Sequence, residues 1–478
     1  MVLLALIAIP ALGAALAYIL PAPRRSALLI VVAVVHVALV ARVWIVPGEQ
    51  AFTGWLADDP LGRVILTLVS VLFLAVAQYA IGYVRVADPP GGRAFVTCLL
   101  GFLAAATLVA LSHHFALLWI GLETTTLTVA PMIYQRHDRR SLEAVWKYLM
   151  LSSVAIAFAL LGVFLLATAQ PSGAVGGRPL VIDDMILRAA ALDPVWLRAA
   201  FVFTLIGFGT KMGLAPMHSW KPDTYGEAPC LVGGLMSGAL TSCAFLGLAR
   251  VASICFAAGQ GDFIRPPLIG FGVFSLVIAT AFIIGQGDIK RLLAYSSVEH
   301  MGLLVLGIGL GGTGAYGAVL HALNNGLAKV MLFLAVGNVV LATGTSASDE
   351  IRGLLRRLPE SGILLVVGLF AVTGSPPFGM FISEFTIIGA AIGEHHPWIA
   401  AVVIGLLAII FVGIGSMLLE MVYAPATVKP AEGNEERRGL VVAPAALAIV
   451  VLLLGIYLPR PLTDALSSAA IVLGGRAP

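Results

Sequence analysis

Lys211 lies in the middle of an apolar segment, Gly207–Pro216, which glycine and proline residues interrupt. A charged side chain at membrane depth costs from about 3 to more than about 10 kcal/mol, so such residues usually serve a function. Glycine and proline allow a membrane helix to break and to turn its free backbone groups toward a watery cavity. A lysine at such a break indicates an ion pathway, most directly one for protons.

Two carboxylates lie in similar surroundings: Glu123 within an apolar stretch, and Glu384 within a second interrupted segment, Gly374–Phe385. Burial disfavours the charged form of Lys211, whereas a nearby carboxylate favours it. At a few ångströms this attraction amounts to roughly 4 kcal/mol with an effective dielectric near 20, enough to load or release a proton. The alternative is a purely structural ion pair between Glu123 and Lys211.

A third apolar stretch contributes His321, Asn325 and Lys329, which recur every four residues and therefore share one face of a helix. Such a stripe is typical of a path that orders water and passes protons. His321 is equally explained as an interhelical hydrogen-bonding residue. Lys147, near the start of a predicted helix, either serves the pathway or extends its side chain to the surface.

The elements that position these residues are membrane helices. Hydrophobic residues make up 60% of the 478-residue chain, charged residues 11%, and the mean hydropathy is +1.01. We count about fourteen apolar runs long enough to cross a bilayer, each needing roughly 20 residues. The sequence therefore predicts an all-α polytopic membrane protein. A net charge of +3 without a basic aromatic patch gives no indication of nucleic-acid binding.

The runs predict a single integral membrane domain with internal symmetry. N-terminal helices occupy 1–90, five runs fill 94–256, five more fill 268–424, and a C-terminal helix lies within 425–478. The interrupted runs, the seventh and the twelfth overall, are each fourth in their repeat. Two five-helix repeats with broken helices at equal positions are typical of an inverted-repeat transporter.

Basic residues predict the orientation of the chain. Connections after odd-numbered runs hold most of them: Arg24, Arg25, Arg85, Arg93, Arg136, Arg139, Arg140, Lys221, Lys290, Arg291, Arg352, Arg356, Arg357, Lys429, Arg437 and Arg438. We call this face the odd-loop side and the opposite face the even-loop side. The odd-loop side should be cytoplasmic, with both termini outside.

No cofactor or metal site is expected in this chain. Cys98, Cys230, Cys243 and Cys255 are scattered without Cys-x-x-Cys or ferredoxin spacing, so we predict no iron–sulfur cluster. Metal-ligand spacing of the His-Glu-x-x-His kind and a phosphate-binding glycine loop are also missing from the sequence.

Several motifs together resemble the proton-pumping membrane subunits of respiratory complex I and the Mrp antiporters, over about residues 95–425. They are Trp119–Glu123, Gly209–Pro229, Asp288–Gly302, His321–Lys329 and Ser383–Phe385. Within that family, Trp146–Tyr148 and Trp220–Pro229 resemble most the hydrogenase-4 component F type, found in formate hydrogenlyase and group 4 hydrogenase complexes.

The resemblance implies roles for individual residues. The implied proton-transfer residues are Glu123, Lys211, His218, His321, Lys329 and Glu384, with Lys147, Ser242, Asn325 and His300 as accessory residues. Glu123 would tune Lys211, and Glu384 would form the exit or couple to a neighbouring subunit. Ser242 and Asn325 stand where many family members have a lysine and a histidine, and neither can hold a proton at neutral pH.

The function expected from the resemblance is proton translocation driven by redox chemistry in partner subunits. Those partners would be other membrane subunits, lipids, and a soluble redox module with iron–sulfur and nickel–iron or similar centres. The chain itself would lie in the cell's inner (cytoplasmic) membrane. A secondary cation/proton antiporter of the Mrp type remains open, because the same helices serve both functions. So does a largely structural membrane anchor, which Ser242 and Asn325 would favour.

Overall fold

The computed structural model of the chain describes residues 1–87, 92–171, 179–425 and 438–477. The predicted odd-loop residues Lys429 and Arg437 lie outside the described residues, as does the predicted boundary at residue 90.

Nearly all regular structure is helical. The helices are α1 (Val2–Ile19), α2 (Ala22–Ile45), α3 (Pro60–Ala87), α4 (Gly92–Leu111), α5 (Phe115–Ile133), α6 (Arg139–Thr168), α7 (Ile182–Leu187), α8 (Pro194–Met212), α9 (Trp220–Glu227), α10 (Cys230–Leu235), α11 (Thr241–Ala257), α12 (Gly261–Ile283), α13 (Ile289–Leu310), α14 (Gly314–Thr343), α15 (Leu354–Arg357), α16 (Pro359–Val372), α17 (Gly379–Gly393), α18 (Pro397–Tyr423), α19 (Arg438–Ile456) and α20 (Arg460–Val472). A π-helical turn, Met236–Leu240, joins α10 to α11. Strands β1 (Gln50–Ala51) and β2 (Leu56–Ala57) form a short antiparallel hairpin.

The predicted number of crossings is confirmed. Within the described residues, 13 helices are long and apolar enough to span a membrane, counting α10, the π turn and α11 as one. The shorter apolar helices α16 and α17 form one further, broken crossing. Large apolar side chains on the outer helices remain exposed, as expected where lipid is the solvent.

The two predicted repeats share a packing order. In the first, α4 packs on α5, α5 on α6, and α6 on α8; in the second, α12 packs on α13, α13 on α14, and α14 on α16 and α17. Both broken helices therefore lie against the third helix of their own repeat. This arrangement matches the inverted-repeat architecture expected from the runs.

The centre of the protein is formed by α11, α13 and α14. An 18-residue apolar stretch within each of the spans Cys230–Ala257 and Ile289–Leu310 is 94% buried, whereas the corresponding stretch of α1 is only 28% buried. The polar residues of α13 and α14 are therefore shielded from lipid by surrounding helices.

One C-terminal helix was expected, but the structure has two. The amphipathic helix α20 follows α19 and packs on α3 and α14. Its 13 residues are too few to cross a bilayer, which explains why a search for long apolar runs misses it.

Candidate functional site

The break between α8 and α9 places Lys211 in the last turn of a half-helix. Gly213 ends α8 with a φ of +80°, a left-handed conformation that suits glycine. The indole N–H of Trp220 donates to the carbonyl of Thr210 at 2.8 Å, and the backbone N–H of Ala215 donates to the hydroxyl of Ser275 at 3.0 Å. These bonds satisfy backbone groups that the break leaves free.

Lys211 is fully buried and is joined to Glu123 through a threonine. The ammonium donates to the hydroxyl of Thr126, whose single proton can be accepted by Oε2 of half-buried Glu123 at 3.4 Å or by the carbonyl of Leu122 at 3.3 Å. The ammonium also lies 5.6 Å from the centre of the Tyr148 ring, within the range of a cation–π interaction. Lys211, Thr126 and Glu123 thus form one polar cluster, a contact that the sequence left open.

A second buried cluster lies between α13, α14 and α17. The hydroxyl of Ser383 donates to the carbonyl of Met380 at 2.8 Å and so accepts from Nδ1 of His321 at 3.0 Å. For neutral imidazoles, Nε2 of His321 then accepts from Nδ1 of His300 at 3.2 Å. A continuous row of hydrogen bonds therefore runs from His300 to Ser383.

Lys329 and Glu299 extend this row toward the centre of the protein. Both are buried and interact electrostatically without a direct ion pair, and among the described residues the ammonium of Lys329 has no hydrogen-bond partner. Glu299 also accepts a hydrogen bond from Ser296 at 3.2 Å. It was not singled out from the sequence. The rule that found Glu123, a carboxylate inside an apolar run, would have found it.

Glu384 closes the row near the break between α16 and α17. It is 6% exposed, and its Oε1 has no hydrogen-bond partner among the described residues. A Cβ at Gly374 would come within 1.9 Å of the Glu384 carboxylate, so the positive-φ glycine at the break makes room for it. Glu384, His300 and His321 each offer a ligand atom, all within 4.8 Å of one another. A metal ion bound there would have to replace the hydrogen bond between the two imidazoles.

The remaining candidate residues have different surroundings. His218 is half-buried and lies against the rings of Phe282 and Tyr295, and among the described residues no hydrogen bond joins it to Lys211. Ser242, just after the π-helical turn, donates to the carbonyl of Gly238 at 2.6 Å. Asn325 is buried between His321 and Lys329, and its side-chain amide has no partner within the described part of the chain.

Lys147 is exposed and belongs to a polar cavity on the odd-loop side. The cavity, of about 500 Å³, is lined mainly by charged residues: Arg136, Asp138, Arg140, Glu143, Lys147, Asp223, Glu227, Asp288 and Arg291. Lys147 pairs with Glu143 at 2.7 Å and with Asp223 at 2.8 Å, and Asp223 also pairs with Arg291. We call this cavity the vestibule. It connects α6 of the first repeat to α13 of the second through α9.

Two lysines predicted to lie in odd-loop connections are buried instead. Lys290 is 1% exposed and donates to the carbonyl of Gly226 at 2.5 Å, where it caps the end of α9. Lys221 is fully buried and donates to the hydroxyl of Ser297 at 2.9 Å. The prediction was wrong because α9 turns back into the protein after the break.

A buried ion network on the even-loop side was also missed. His113 is 3% exposed and contacts Arg250 at 3.1 Å and Asp183 at 3.1 Å. Arg250 also pairs with Asp59 at 2.8 Å. Burial raises the pKa of Asp59, but Arg250 and His113 outweigh it and hold that pKa below its usual value. The hydrogen bond from His113 likewise lowers the pKa of Asp183.

Buried ionisable residues on a broken helix, together with a second buried row, are what an ion-translocating helical bundle requires. Residues 112–411 match the sequence profile of the family described as NADH:quinone oxidoreductase/Mrp antiporter, transmembrane. The chain belongs to this family. It is an antiporter-like, multi-pass integral membrane subunit.

Individual members of the family are similar over most of their length. The chain is 31% identical to a hydrogenase-4 component F homolog of Methylacidiphilum infernorum, over 81% of this chain and 80% of that protein. It is 28% identical to NADH-quinone oxidoreductase subunit N of Thiobacillus denitrificans, covering 86% and 84%. The fold matches a chain of the membrane-bound sulfane sulfur reductase, an archaeal respiratory membrane complex, with a TM-score of 0.88, 22% identity, and coverage of 99% and 98%.

Proposed function

We propose that this chain is the proton-translocating subunit of a complex I-related assembly of the group 4 hydrogenase or formate hydrogenlyase type. The observation that carries the proposal is the set of ionisable residues, half-buried Glu123 and buried Lys211, Lys329 and Glu384, which are spread over both repeats. Such residues are costly in a membrane and are kept where protons or ions move.

In this proposal each cluster performs one step. Glu123, acting through Thr126, favours the charged form of Lys211. Lys329 holds the next proton, with Glu299 as its counter-charge. The imidazole row of His300 and His321 then passes it to Glu384, and the vestibule on the odd-loop side supplies protons from the cytoplasm.

The energy would come from partner subunits. We propose other membrane subunits as neighbours, and a soluble redox module carrying iron–sulfur and nickel–iron or similar centres. Similarity to a hydrogenase-4 component F homolog supports this choice, as do the Trp146–Tyr148 and Trp220–Pro229 motifs. The chain would lie in the cytoplasmic membrane, with both termini outside.

The test combines purification with a variant. The complex is isolated in mild detergent through a tag on this chain, and its subunits are identified by mass spectrometry. Hydrogenase-like or dehydrogenase subunits with iron–sulfur proteins are expected. Lys211→Ala should then abolish proton pumping in membrane vesicles while electron transfer to an artificial acceptor continues. Full pumping by this variant would refute the proposal.

A second candidate function is a secondary cation/proton antiporter subunit without a redox partner. Membership of a family that includes the Mrp antiporters favours it. Co-purification of small hydrophobic subunits alone would support this function. A purely structural anchor is disfavoured by Glu299, a further buried carboxylate that an anchor does not need.

A further inference from the structure

Lys221 occupies a buried position at the break between α8 and α9. It is the second residue of α9 and is fully buried. Its side chain runs across Gly213, where an added Cβ would lie 2.3 Å from Cε and 2.9 Å from Nζ of Lys221. Glycine at position 213 therefore admits the lysine as well as ending α8.

The partners of Lys221 distinguish it from the other buried lysines. Lys211 reaches a carboxylate through Thr126, Lys329 interacts with Glu299, and Lys290 caps a helix end. Lys221 donates to the hydroxyl of Ser297, and among the described residues no carboxylate forms an ion pair with it. The carbonyl end of α8 favours a cation there, but only by a partial charge. Because no carboxylate of the described residues pairs with the ammonium of Lys221, this ammonium can release its proton more readily than a paired one.

Lys221 also links the two repeats. It belongs to α9, in the first repeat, yet its ammonium ends on Ser297 of α13, in the second. Ser297 follows Ser296, which contacts both Glu299 and His300. The positive charge of Lys329 acts electrostatically on Lys221. Two residues further along α9, Asp223 lines the vestibule.

Two candidates predicted from the sequence, Ser242 and Asn325, do not link the Lys211 cluster to the Lys329 cluster. The hydroxyl of Ser242 donates its proton to the carbonyl of Gly238. Asn325 carries no proton that it can release at neutral pH. Neither residue joins the Lys211 cluster to the Lys329 cluster, whereas Lys221 lies at the junction of α8, α9 and α13.

We propose that Lys221 is a further proton-transfer residue, which carries a proton between Lys211 and Lys329. This inference rests on the proposed function. In the first step an N–H bond of the Lys211 ammonium breaks, and the proton passes along intervening water, each molecule taking up one proton and releasing another, to the lone pair of the neutral Lys221 amine. In the second step the Lys221 ammonium releases that proton toward the neutral amine of Lys329, past the hydroxyl of Ser297. No electrons are transferred.

The test uses the whole complex in membrane vesicles, driven by the electron donor of its co-purified redox subunits, with a pH-sensitive dye as the readout. Lys221→Gln keeps a donor for Ser297 but cannot carry a proton, and we expect proton transport to fall at least about tenfold. Lys221→His should restore part of it, because imidazole titrates near neutral pH. Lys221→Arg should not, because a guanidinium keeps its proton.

A structural role for Lys221 predicts a different ranking, in which arginine, with its permanent charge, replaces lysine better than histidine does. Lys290→Gln is the matched control, because it removes a buried lysine whose ammonium donates to a backbone carbonyl at the end of α9. It should reduce the amount of assembled complex without lowering transport per complex.

The outcomes separate the inference from the proposed function. If Lys211→Ala abolishes transport but assembled Lys221→Gln keeps more than half of it, the role of Lys221 is refuted and the function stands. If both variants transport normally, the proposed function itself fails. If Lys221→Gln does not assemble, Lys221→Arg decides, since normal transport with arginine excludes a relay through this position.

Discussion

The ammonium of Lys211 and the carboxylate of Glu123 are joined through the hydroxyl of Thr126 rather than by direct contact. The lysine lies at the end of a broken helix, fully buried, whereas the glutamate is half-buried on α5. An intervening hydroxyl weakens the attraction between the two charges and makes it depend on one rotatable bond. Thr126 is therefore in a position to set how strongly Glu123 holds the proton on Lys211.

Thr126→Val should impair transport while preserving side-chain shape. It leaves the buried ammonium without its hydroxyl partner, a loss worth about 1–3 kcal/mol. We expect at least a tenfold fall in proton pumping, measured in membrane vesicles with electron transfer monitored in parallel. Thr126→Ser should retain most of the activity. Thr125→Val is the matched control, because Thr125 is buried but donates only to the carbonyl of Leu122. Equal losses in both valine variants would show that Thr126 has no special role.

Glu299→Gln should separate charge from packing in the second cluster. Glutamine has nearly the same volume and can still accept from Ser296, so assembly of the complex should be unchanged. Lys329 loses the negative charge of Glu299, which acts on it electrostatically, and its protonated form becomes less stable. We expect pumping to fall about tenfold or more, with redox activity toward an artificial acceptor retained.

Glu420→Gln is the control for this variant, because Glu420 pairs with Arg352 at an exposed position on α18. Exposed ion pairs contribute only about 0–1 kcal/mol, so it should pump normally. Normal pumping by Glu299→Gln as well would remove Glu299 from the pathway.

Much of the architecture follows from the sequence because membrane crossings are set by the length of apolar runs. The breaks at Gly213 and Gly374 were predictable too, since glycine and proline cluster there and few other residues allow a helix to stop at membrane depth. Lys211 and Glu384 could be identified by the same rule, as ionisable residues next to a break. The amphipathic helix α20 escaped because it does not cross.

Other residues could not be placed because the sequence is polar around them or their partners are distant. Lys221 follows a tryptophan and precedes proline and aspartate, a pattern typical of a loop, and only the return of α9 into the bundle buries it. His113 meets Arg250 across 137 residues of chain, a contact that no local pattern predicts. The sequence therefore does not reveal which charged residues pair over long distances along the chain, whereas local periodicity predicts the helices.

Gly374→Ala should disturb Glu384 more than it disturbs the backbone. Gly374 has a φ of +62°, which costs alanine about 1–2 kcal/mol, and its added Cβ would also collide with the Glu384 carboxylate. Gly344→Ala is the control for strain alone, because Gly344 has a φ of +76° with nothing within 4 Å of an added Cβ. Thermal unfolding should show a similar loss for both variants, whereas proton pumping should fall only in Gly374→Ala and in Glu384→Gln. Equal pumping by Gly374→Ala and Gly344→Ala would contradict a role for the Glu384 position.

Stability in acid should depend on the carboxylate of Asp183 on the even-loop side. The hydrogen bond from His113 lowers the pKa of Asp183 in the folded protein below its unfolded value of about 3.9. A lowered folded pKa contributes stability above the unfolded pKa, and this contribution is lost as pH falls through the folded pKa. The apparent unfolding temperature of the detergent-solubilised protein should therefore decrease when the pH is lowered below about 4.

Asp183→Asn should be less stable at pH 7 and show a smaller decrease in unfolding temperature in acid. Asp464→Asn, at an exposed position on α20, should follow the wild-type profile. An Asp183→Asn profile parallel to wild type from pH 7 to about pH 3 would show that Asp183 adds no pH-dependent stability.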